Sequence, residues 1–200
     1  MPVHTHYMEF EVRLEDVEPP IWRRFLLRAD ATFHDLHDTI QRACGWLDHH
    51  LYAFQPEHSR ENLAVSPYYE PWDDAEEVPV GTEVPLETFF RETGDTAIYE
   101  YDFGDSWQHR VTLTGFQQCA GTKRRILLAG ARAFPPEDCG GVRGYYECLE
   151  AARITEEELA RQDEEIQEML RERRVWFGDW DPEHFDLDAV QRQMRRPVNL

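Results

Sequence analysis

The sequence predicts an α+β domain whose sheet is mixed but mostly antiparallel. Residues 7–17 alternate apolar and polar side chains, which is typical of a strand buried on one face. Residues 32–45 carry apolar side chains at helical spacing between a capping residue and a glycine. Residues 97–116 hold two alternating segments around a Gly-Asp-Ser turn, which is the pattern of a β-hairpin.

Length and composition favour one folded domain over residues 1–200. A chain of 200 residues can bury a core of its own without support from metals or disulfides. Its residues are 41% hydrophobic and 12% aromatic, values that are typical of a folded protein and not of a disordered chain. We therefore expect a single domain without internal repeats.

The N-terminal part of the chain predicts a strand–strand–helix–strand unit. After the first strand, a second is expected over residues 21–27. Thr32 then has the position of a helix N-cap with Asp35 three residues later, and Gly45 has the position of a C-terminal glycine. A third strand is expected over residues 51–55. This order resembles a β-grasp-like ββαβ unit.

The middle of the chain predicts an irregular segment followed by the hairpin. Residues 56–84 are expected to form an excursion over the surface, because prolines and an acidic run interrupt any regular pattern. Residues 85–92 are expected to form one short helix. The two hairpin strands follow over residues 97–103 and 107–116 and are joined by a tight turn.

The last third of the chain predicts a strand followed by peripheral helices. The strand is expected over residues 125–129 and a first helix over residues 145–152. An acidic helix over residues 155–175 begins with a capping box, and its order of acids first and arginines last complements the helix dipole. The final element is expected to begin at Asp181. Its predicted buried face consists of Phe185, Leu187, Val190 and Met194.

Charge and cysteine content limit the classes of partner. The net charge of −19 disfavours binding to nucleic acids and to anionic membrane surfaces. No apolar run is long enough to span a bilayer, and no signal-peptide pattern is present. The four cysteines lack the Cys-x-x-Cys spacing of metal and redox motifs. We therefore expect a cytoplasmic protein with free thiols and neither a nucleic-acid nor a membrane partner.

Two short segments, residues 99–109 and 134–145, concentrate unusual side chains. Both place turn-forming Gly, Pro, Asp and Glu next to Trp, Tyr, His and Cys. A segment that only connects two elements seldom uses such side chains, so we expect the two segments to line one site. The candidate ligand-binding residues are Trp22, His37, Trp46, His50, Asp102, Asp105, Trp107, His109, Glu137, Asp138 and Tyr145.

A subset of these side chains could bind a divalent ion, zinc or manganese. The candidate metal ligands are His37, His50, Asp102, Asp105 and His109. Imidazole and carboxylate groups suit both ions, but no spacing in the sequence is diagnostic of a metal motif. A structural alternative is favoured, in which Asp102 and Asp105 fix a turn and the two histidines His37 and His109 are hydrogen-bonded near the core. No cofactor is therefore predicted.

Several motifs occur along the chain in a distinctive order. They are Ile21-Trp-Arg23, Gly45-Trp46, Tyr101-Asp-Phe-Gly-Asp-Ser-Trp107 with His109, and Pro135-Pro-Glu-Asp-Cys-Gly-Gly141 with Gly144-Tyr145. Together they closely resemble the plasmid pRiA4b ORF-3-like family, from about residue 7 to residue 190. The resemblance implies a bacterial or archaeal cytoplasmic α+β domain without an assigned biochemical role. Many members of the family have cysteines at the positions that Leu127 and Phe134 occupy here. Because both residues are hydrophobic in this chain, a cysteine-based metal site is not expected.

The residues and the family resemblance leave three functional hypotheses, of which the net charge of −19 disfavours the third. The first is a non-catalytic binding or interaction module for an unidentified protein or small-molecule ligand, because polar and aromatic side chains cluster in loops without a recognisable catalytic set. The alternative is a metal-dependent hydrolase of nuclease or phosphoesterase type, with Glu137 as candidate general base. The third is a DNA-associated regulator linked to mobile elements, which only the labels carried by some members of the family suggest.

Overall fold

One seven-stranded antiparallel sheet organises the protein, as seen in a computed structural model that describes residues 4–57, 63–68 and 79–195. The strands are β1 (His4–Leu14), β2 (Trp22–Arg28), β3 (Tyr52–Pro56), β4 (Ala64–Val65), β5 (Thr96–Tyr101), β6 (Trp107–Ala120) and β7 (Arg125–Ala131). The helices are α1 (Phe33–Cys44), α2 (Gly141–Arg153), α3 (Glu156–Leu159), α4 (Glu164–Phe177) and α5 (Leu187–Met194), and a 3-10 turn spans Leu86–Thr88. The order across the sheet is β4-β3-β5-β6-β1-β2-β7.

Strand pairing confirms the α+β class and the mostly antiparallel sheet. Neighbouring strands all run antiparallel, and the single parallel contact among the described residues is an isolated bridge between Val65 and Val80. The ββαβ order is present along the chain, but β3 does not return to β1. Strand β6 occupies the edge of β1 that a returning strand would need, so β3 joins the sheet beside β5 instead.

Helix α1 packs its apolar side into the core that covers the sheet. Thr32 and Asp35 form the predicted capping box, and Gly45 ends the helix in the left-handed conformation with a φ of 87°. On the buried side, the ring of Phe33 meets the ring of Phe54 in β3 edge-on, with centroids 5.1 Å apart. Because β3 pairs with β5, the loop that follows α1 runs beside the end of β5, where the candidate site lies.

The predicted excursion over residues 56–84 lies partly outside the described residues, which omit 58–62 and 69–78. Its described parts are not wholly irregular. Strand β4 pairs with β3, and Gly81 donates its N–H to the carbonyl of Val65 at 2.8 Å. This part of the segment therefore extends the sheet at its edge.

Three helical segments differ from their predicted bounds. The helix expected over residues 85–92 is only a 3-10 turn. The acidic helix expected over residues 155–175 is interrupted at residues 160–163, because Asp163 takes the extended conformation of an N-cap and begins a new helix, α4. Helix α2 begins at Gly141, earlier than the predicted first residue, 145.

The last helix begins later than predicted and buries a different set of side chains. Its N-cap is Asp186, whose carboxylate accepts a backbone N–H of the first turn at 2.9 Å, so the element does not begin at Asp181. Leu187, expected inside, is exposed, whereas Gln191 is buried. The Gln191 side chain accepts the N–H of Leu127 at 2.7 Å, and this hydrogen bond allows a polar residue to belong to the interior.

The C-terminal helices lie at the edge of the fold, as predicted. In α4 only Leu170 is fully buried, and Val175 and Trp176 are exposed. Among the described residues, no helix is both long and apolar enough to cross a membrane.

Candidate functional site

Three loops meet at one end of the β5–β6 hairpin and form a surface that we call the three-loop face. It comprises residues 46–50, which follow α1, residues 102–106, which join β5 to β6, and residues 135–141, which lead into α2. The face therefore unites the two unusual segments of the sequence with the end of the first helix.

Hydrogen bonds and close backbone contacts hold the three loops together. Trp46 Nε1 donates to the carbonyl of Pro135 at 2.9 Å, and the Gly140 N–H donates to Asp105 Oδ2 at 3.1 Å. A Cβ at Gly141 would lie 2.7 Å from the carbonyl oxygen of Asp105, so a residue without a side chain is required for this approach. Asp105 therefore connects the hairpin turn to the third loop.

Tyr101 and Glu137 form the centre of the face. The Tyr101 hydroxyl donates to Glu137 Oε1 at 2.5 Å and accepts the backbone N–H groups of His49 and His50 at 3.0 and 3.3 Å. The second Glu137 oxygen accepts the N–H of Leu47 at 2.8 Å. Burial and the adjacent carboxylate raise the pKa of Tyr101, so the phenol keeps its proton and connects the loop after α1 to the loop before α2.

His50, Asp102 and Asp138 bring one nitrogen and two oxygen atoms together at the surface. Nε2 of His50 lies 2.7 Å from Asp138 Oδ1 and 3.6 Å from Asp102 Oδ2, and the three ligand atoms lie within 4.8 Å of one another. Partial burial lowers the pKa of His50, but the Asp138 hydrogen bond and the charges of the nearby carboxylates outweigh it, so the pKa is raised. Each of the three loops contributes one of these side chains.

Two of the three loops also carry exposed apolar side chains, and a cavity opens beside His50. Leu47 is 68% exposed and Phe103 is 42% exposed, although both are large and hydrophobic. A cavity of 440 Å³ opens beside His50, and its walls include Tyr52 and Tyr68. This volume lies within the range of small-ligand pockets. The surface around His50 therefore has a cavity of ligand size next to charged groups.

Aromatic rings form the buried floor of the face. The Trp46 ring stacks on Tyr101 with centroids 5.2 Å apart, and Trp107, which follows the second loop, is 1% exposed. Below them the His109 and Phe134 rings stack at 5.9 Å. These side chains support the loops and do not reach the surface.

His109, a candidate metal ligand, is a core residue. Its Nδ1 donates to the carbonyls of Trp107 at 3.1 Å and Tyr99 at 3.3 Å, and its side chain is fully buried. Burial lowers the pKa of His109 to about 4, although the two backbone hydrogen bonds act in the opposite direction. The imidazole is therefore neutral at neutral pH and lies apart from the His50 cluster.

His37, a second candidate metal ligand, is also buried. Its Nε2 lies 2.8 Å from the Asp48 carboxylate, and its Nδ1 lies 2.8 Å from the Tyr99 hydroxyl, which also accepts Gln41 Nε2 at 2.9 Å. A neutral ring that donates through Nε2 and accepts through Nδ1 satisfies this chain. Desolvation lowers the pKa of His37 despite the Asp48 partner, which favours that neutral form.

The remaining predicted site residues lie in different places. Asp105 uses a carboxylate oxygen to bind the Gly140 N–H, so it joins the loops but is not part of the His50 cluster. Trp22 is half-buried in β2, where the Arg24 guanidinium lies 5.8 Å from its ring centroid. Tyr145 is fully buried in α2. Neither of these two aromatic side chains belongs to the three-loop face.

Sequence reasoning missed three side chains of the face. Tyr101 and Phe103 lie within the segment that the sequence assigns to the site, and Leu47 follows the first helix, but none of the three is singled out as a ligand-binding residue by the sequence. For Leu47 and Phe103 the sequence holds a signal, because an apolar side chain that adjoins a turn residue such as Asp48 or Gly104 often lies at the surface. Only the structure shows that the loops carrying all three meet at one end of the hairpin.

The fold and the face define an α+β protein with a seven-stranded antiparallel sheet and a polar, loop-built surface at the end of one hairpin. The chain belongs to the plasmid pRiA4b ORF-3-like family, whose model matches residues 6–189.

Two proteins similar to this chain are described without an assigned function. The chain is 33% identical over 146 residues to the "Uncharacterized protein y4hQ" of Sinorhizobium fredii (strain NBRC 101917 / NGR234), a match that covers 72% of each sequence. It is 31% identical to a solved structure, the "Protein of Unknown Function MM3350 from Methanosarcina mazei Go1". That match has a TM-score of 0.74 and covers 93% of this chain and 98% of the other. Both relatives are uncharacterised.

Proposed function

We propose that this protein is a non-catalytic binding module whose ligand surface is the three-loop face. The observation that carries the proposal is the Tyr101 hydroxyl, which bonds the Glu137 side chain and two backbone N–H groups of the loop after α1. Loops that are tied together in this way need little ordering when a ligand binds, and such preorganisation favours affinity.

The chemistry of the surface supports a ligand with both polar and apolar parts. His50, Asp102 and Asp138 offer charged groups, while Leu47 and Phe103 in the same loops expose apolar area. Polar groups fix the orientation of a bound molecule, and apolar contacts supply most of the binding free energy. We expect a small molecule or a short protein segment that carries an oxygen-rich group next to an apolar one.

Ligand mapping by NMR tests this proposal. We would record ¹H–¹⁵N spectra of the labelled protein with a library of small metabolites and short peptides. Ligands should shift the amide signals of the three-loop face, and Phe103→Ser should weaken their binding. Phe116→Ser, which replaces a 54% exposed phenylalanine in β6, serves as the matched control. The proposal is wrong if all ligands map elsewhere or if both variants bind equally well.

A metal-dependent hydrolase is the second candidate, and the cluster of His50, Asp102 and Asp138 is the observation that favours it. Glu137, the candidate base, fits this role poorly because each of its oxygens already accepts a hydrogen bond. Hydrolysis of bis(p-nitrophenyl) phosphate with Mn²⁺ or Zn²⁺ tests the idea. Metal-dependent turnover that Glu137→Gln abolishes would support a hydrolase, and its absence with both ions would speak against one.

A further inference from the structure

We propose that His50, Asp102 and Asp138 bind a divalent transition-metal ion, which is the first ligand of the three-loop face. The inference rests on the proposed binding function and specifies the chemistry of its site. The ligand set differs from the one that the sequence suggests, because Asp138 enters it and His37, Asp105 and His109 do not.

The spacing of the three ligand atoms suits a single ion. Metal bonds of about 2.1 Å to imidazole nitrogen and carboxylate oxygen place neighbouring donor atoms about 3.4 Å apart in the tetrahedral geometry of zinc sites. The separations of 2.7 Å and 3.6 Å from His50 Nε2 to the two carboxylates lie on either side of that value. The ligand atoms are therefore already close to the separations that one ion requires.

Asp102 and Asp138 place two negative charges beside one imidazole, which carries at most one positive charge, so a divalent cation would neutralise the remainder. The negative charges of the Asp102, Glu137 and Asp138 carboxylates all interact with the imidazole of His50. In the described part of the chain, no arginine or lysine forms an ion pair with Asp102 or Asp138. By contrast, the Asp38 carboxylate pairs with two arginines. Like charges that lie close together repel one another unless a cation lies between them.

Contacts outside the cluster support two of the three residues, His50 and Asp102. The Tyr101 hydroxyl holds the backbone N–H of His50. One Asp102 oxygen accepts the Gly104 N–H at 3.0 Å, which leaves the other oxygen to face His50. Such supporting hydrogen bonds are typical of metal sites, since they fix the orientation of the ligands.

The donor atoms and their exposure indicate which ion binds and what it can recruit. One nitrogen and two oxygens favour Zn²⁺ over Mn²⁺ and disfavour Mg²⁺, which prefers oxygen ligands alone. The side chains of His50 and Asp138 are 31% and 58% exposed, so coordination positions remain open to solvent. An ion held there can bind a carboxylate or phosphate group of the ligand that the face recognises.

Calorimetry with matched variants tests the site. We would remove metals from the tag-free protein with a chelator and titrate it with ZnCl₂. We expect one equivalent to bind, with weaker binding of MnCl₂ and least of MgCl₂. His50→Ala and Asp138→Asn should each weaken zinc binding at least about tenfold. His184→Ala and Asp179→Asn replace exposed residues outside the face and should leave zinc affinity unchanged.

A second measurement keeps the test independent of how the variants fold. Mn²⁺ is paramagnetic, and it should broaden the amide signals of the three loops in spectra of the unaltered protein before those of other segments. The inference is overturned if no ion binds, if Mn²⁺ broadens other segments first, or if the four variants bind zinc alike. If organic ligands bind at the three-loop face but no metal binds, only the metal site is rejected. If zinc binds at the face but every organic ligand binds elsewhere, the proposed ligand surface is rejected.

Discussion

The hydroxyl of Tyr101 donates a hydrogen bond to the carboxylate of Glu137 at 2.5 Å and accepts two backbone N–H groups from the loop that follows α1. One side chain from the sheet therefore orders two loops that are distant in sequence. The pair also explains why Glu137 lies in the site without being free to act as a base, since its other oxygen binds the N–H of Leu47.

Removal of that hydroxyl should destabilise the protein. Tyr101→Phe leaves the Glu137 oxygen and the N–H groups of His49 and His50 without this partner, and we expect a loss of about 1–3 kcal/mol in the free energy of unfolding. Urea unfolding followed by circular dichroism measures it. Tyr68→Phe is the control, because Tyr68 is 83% exposed. Equal midpoints for the two variants would show that the hydrogen bonds contribute nothing.

His109 should make stability depend on pH in the acidic range. Burial lowers the pKa of His109 to about 4 in the folded protein, from an ordinary value of 6.5 in the unfolded chain. Between these values the unfolded chain binds a proton that the folded protein does not, so the free energy of unfolding decreases as pH falls from 6.5 to 4. The full effect is about 3 kcal/mol, at about 1.4 kcal/mol for each pH unit.

Urea midpoints measured from pH 7.5 to pH 4.5 test this dependence. His37, whose pKa is also lowered, acts in the same direction, whereas the raised pKa of His50 acts in the opposite one. The contribution of His109 is therefore the difference in slope between the unaltered protein and His109→Asn. His6→Gln, at an exposed position, should keep the original slope. A slope that His109→Asn leaves unchanged would contradict the lowered pKa.

Any side chain at Gly144 should reduce the stability of the protein. A Cβ at this position of α2 would lie 1.7 Å from the carbonyl oxygen of Cys139, so Gly144→Ala must push the third loop away from the helix. We expect a loss of about 1–3 kcal/mol in the free energy of unfolding, measured by thermal or urea denaturation. Gly115→Ala is the control, since a Cβ there would meet no heavy atom within 4 Å. If the two substitutions cost the same, the close approach is not required.

Arg23 should not be replaceable by lysine. Its guanidinium donates to the carbonyls of Trp22, Ala43, Ala131 and Arg132 at 2.8–3.1 Å. The rings of Phe134 and Phe185 lie on it with centroids 4.9 and 4.6 Å away. Burial lowers the pKa of Arg23 to about 10, so the group stays charged at neutral pH.

A lysine ammonium is a single point charge with three donors and cannot reach all of these carbonyls. We expect Arg23→Lys to reduce the free energy of unfolding by about 2–4 kcal/mol, because buried polar groups lose their partners. Urea unfolding measures the change, with Arg171→Lys on the exposed side of α4 as the control. A cost below about 0.5 kcal/mol, the usual range for surface substitutions, would show that the carbonyl contacts are dispensable.

Local signals in the sequence predicted most elements of the fold. The capping box of Thr32 and Asp35, the C-terminal Gly45 and the hairpin turn all depend on residues close together in the chain, and all three are present. Predictions failed where a distant contact overrides the local pattern. Gln191, for example, is buried because it bonds Leu127, a residue on another element.

The candidate site is likewise predictable from the sequence only in part. The sequence identified the two segments that form it, because turn residues beside aromatic and titratable side chains are recognisable without a structure. The favoured interpretation of the sequence, with His37 and His109 hydrogen-bonded near the core, agrees with the structure, in which both are fully buried. The sequence did not show that Nε2 of His50 meets the Asp138 carboxylate at the surface, because that contact joins two distant loops.

Hydrophobic periodicity and turn chemistry are local properties of the chain, so residues close together in the sequence predicted the α+β class, the family resemblance and the two unusual segments. Long-range packing places β3 beside β5 and the Tyr101 hydroxyl against Glu137. It also decided that one nitrogen and two oxygens from three loops lie within 4.8 Å of one another. These relationships join residues that are far apart in the chain, and they depend on how the sheet orders its strands, which no local pattern specifies.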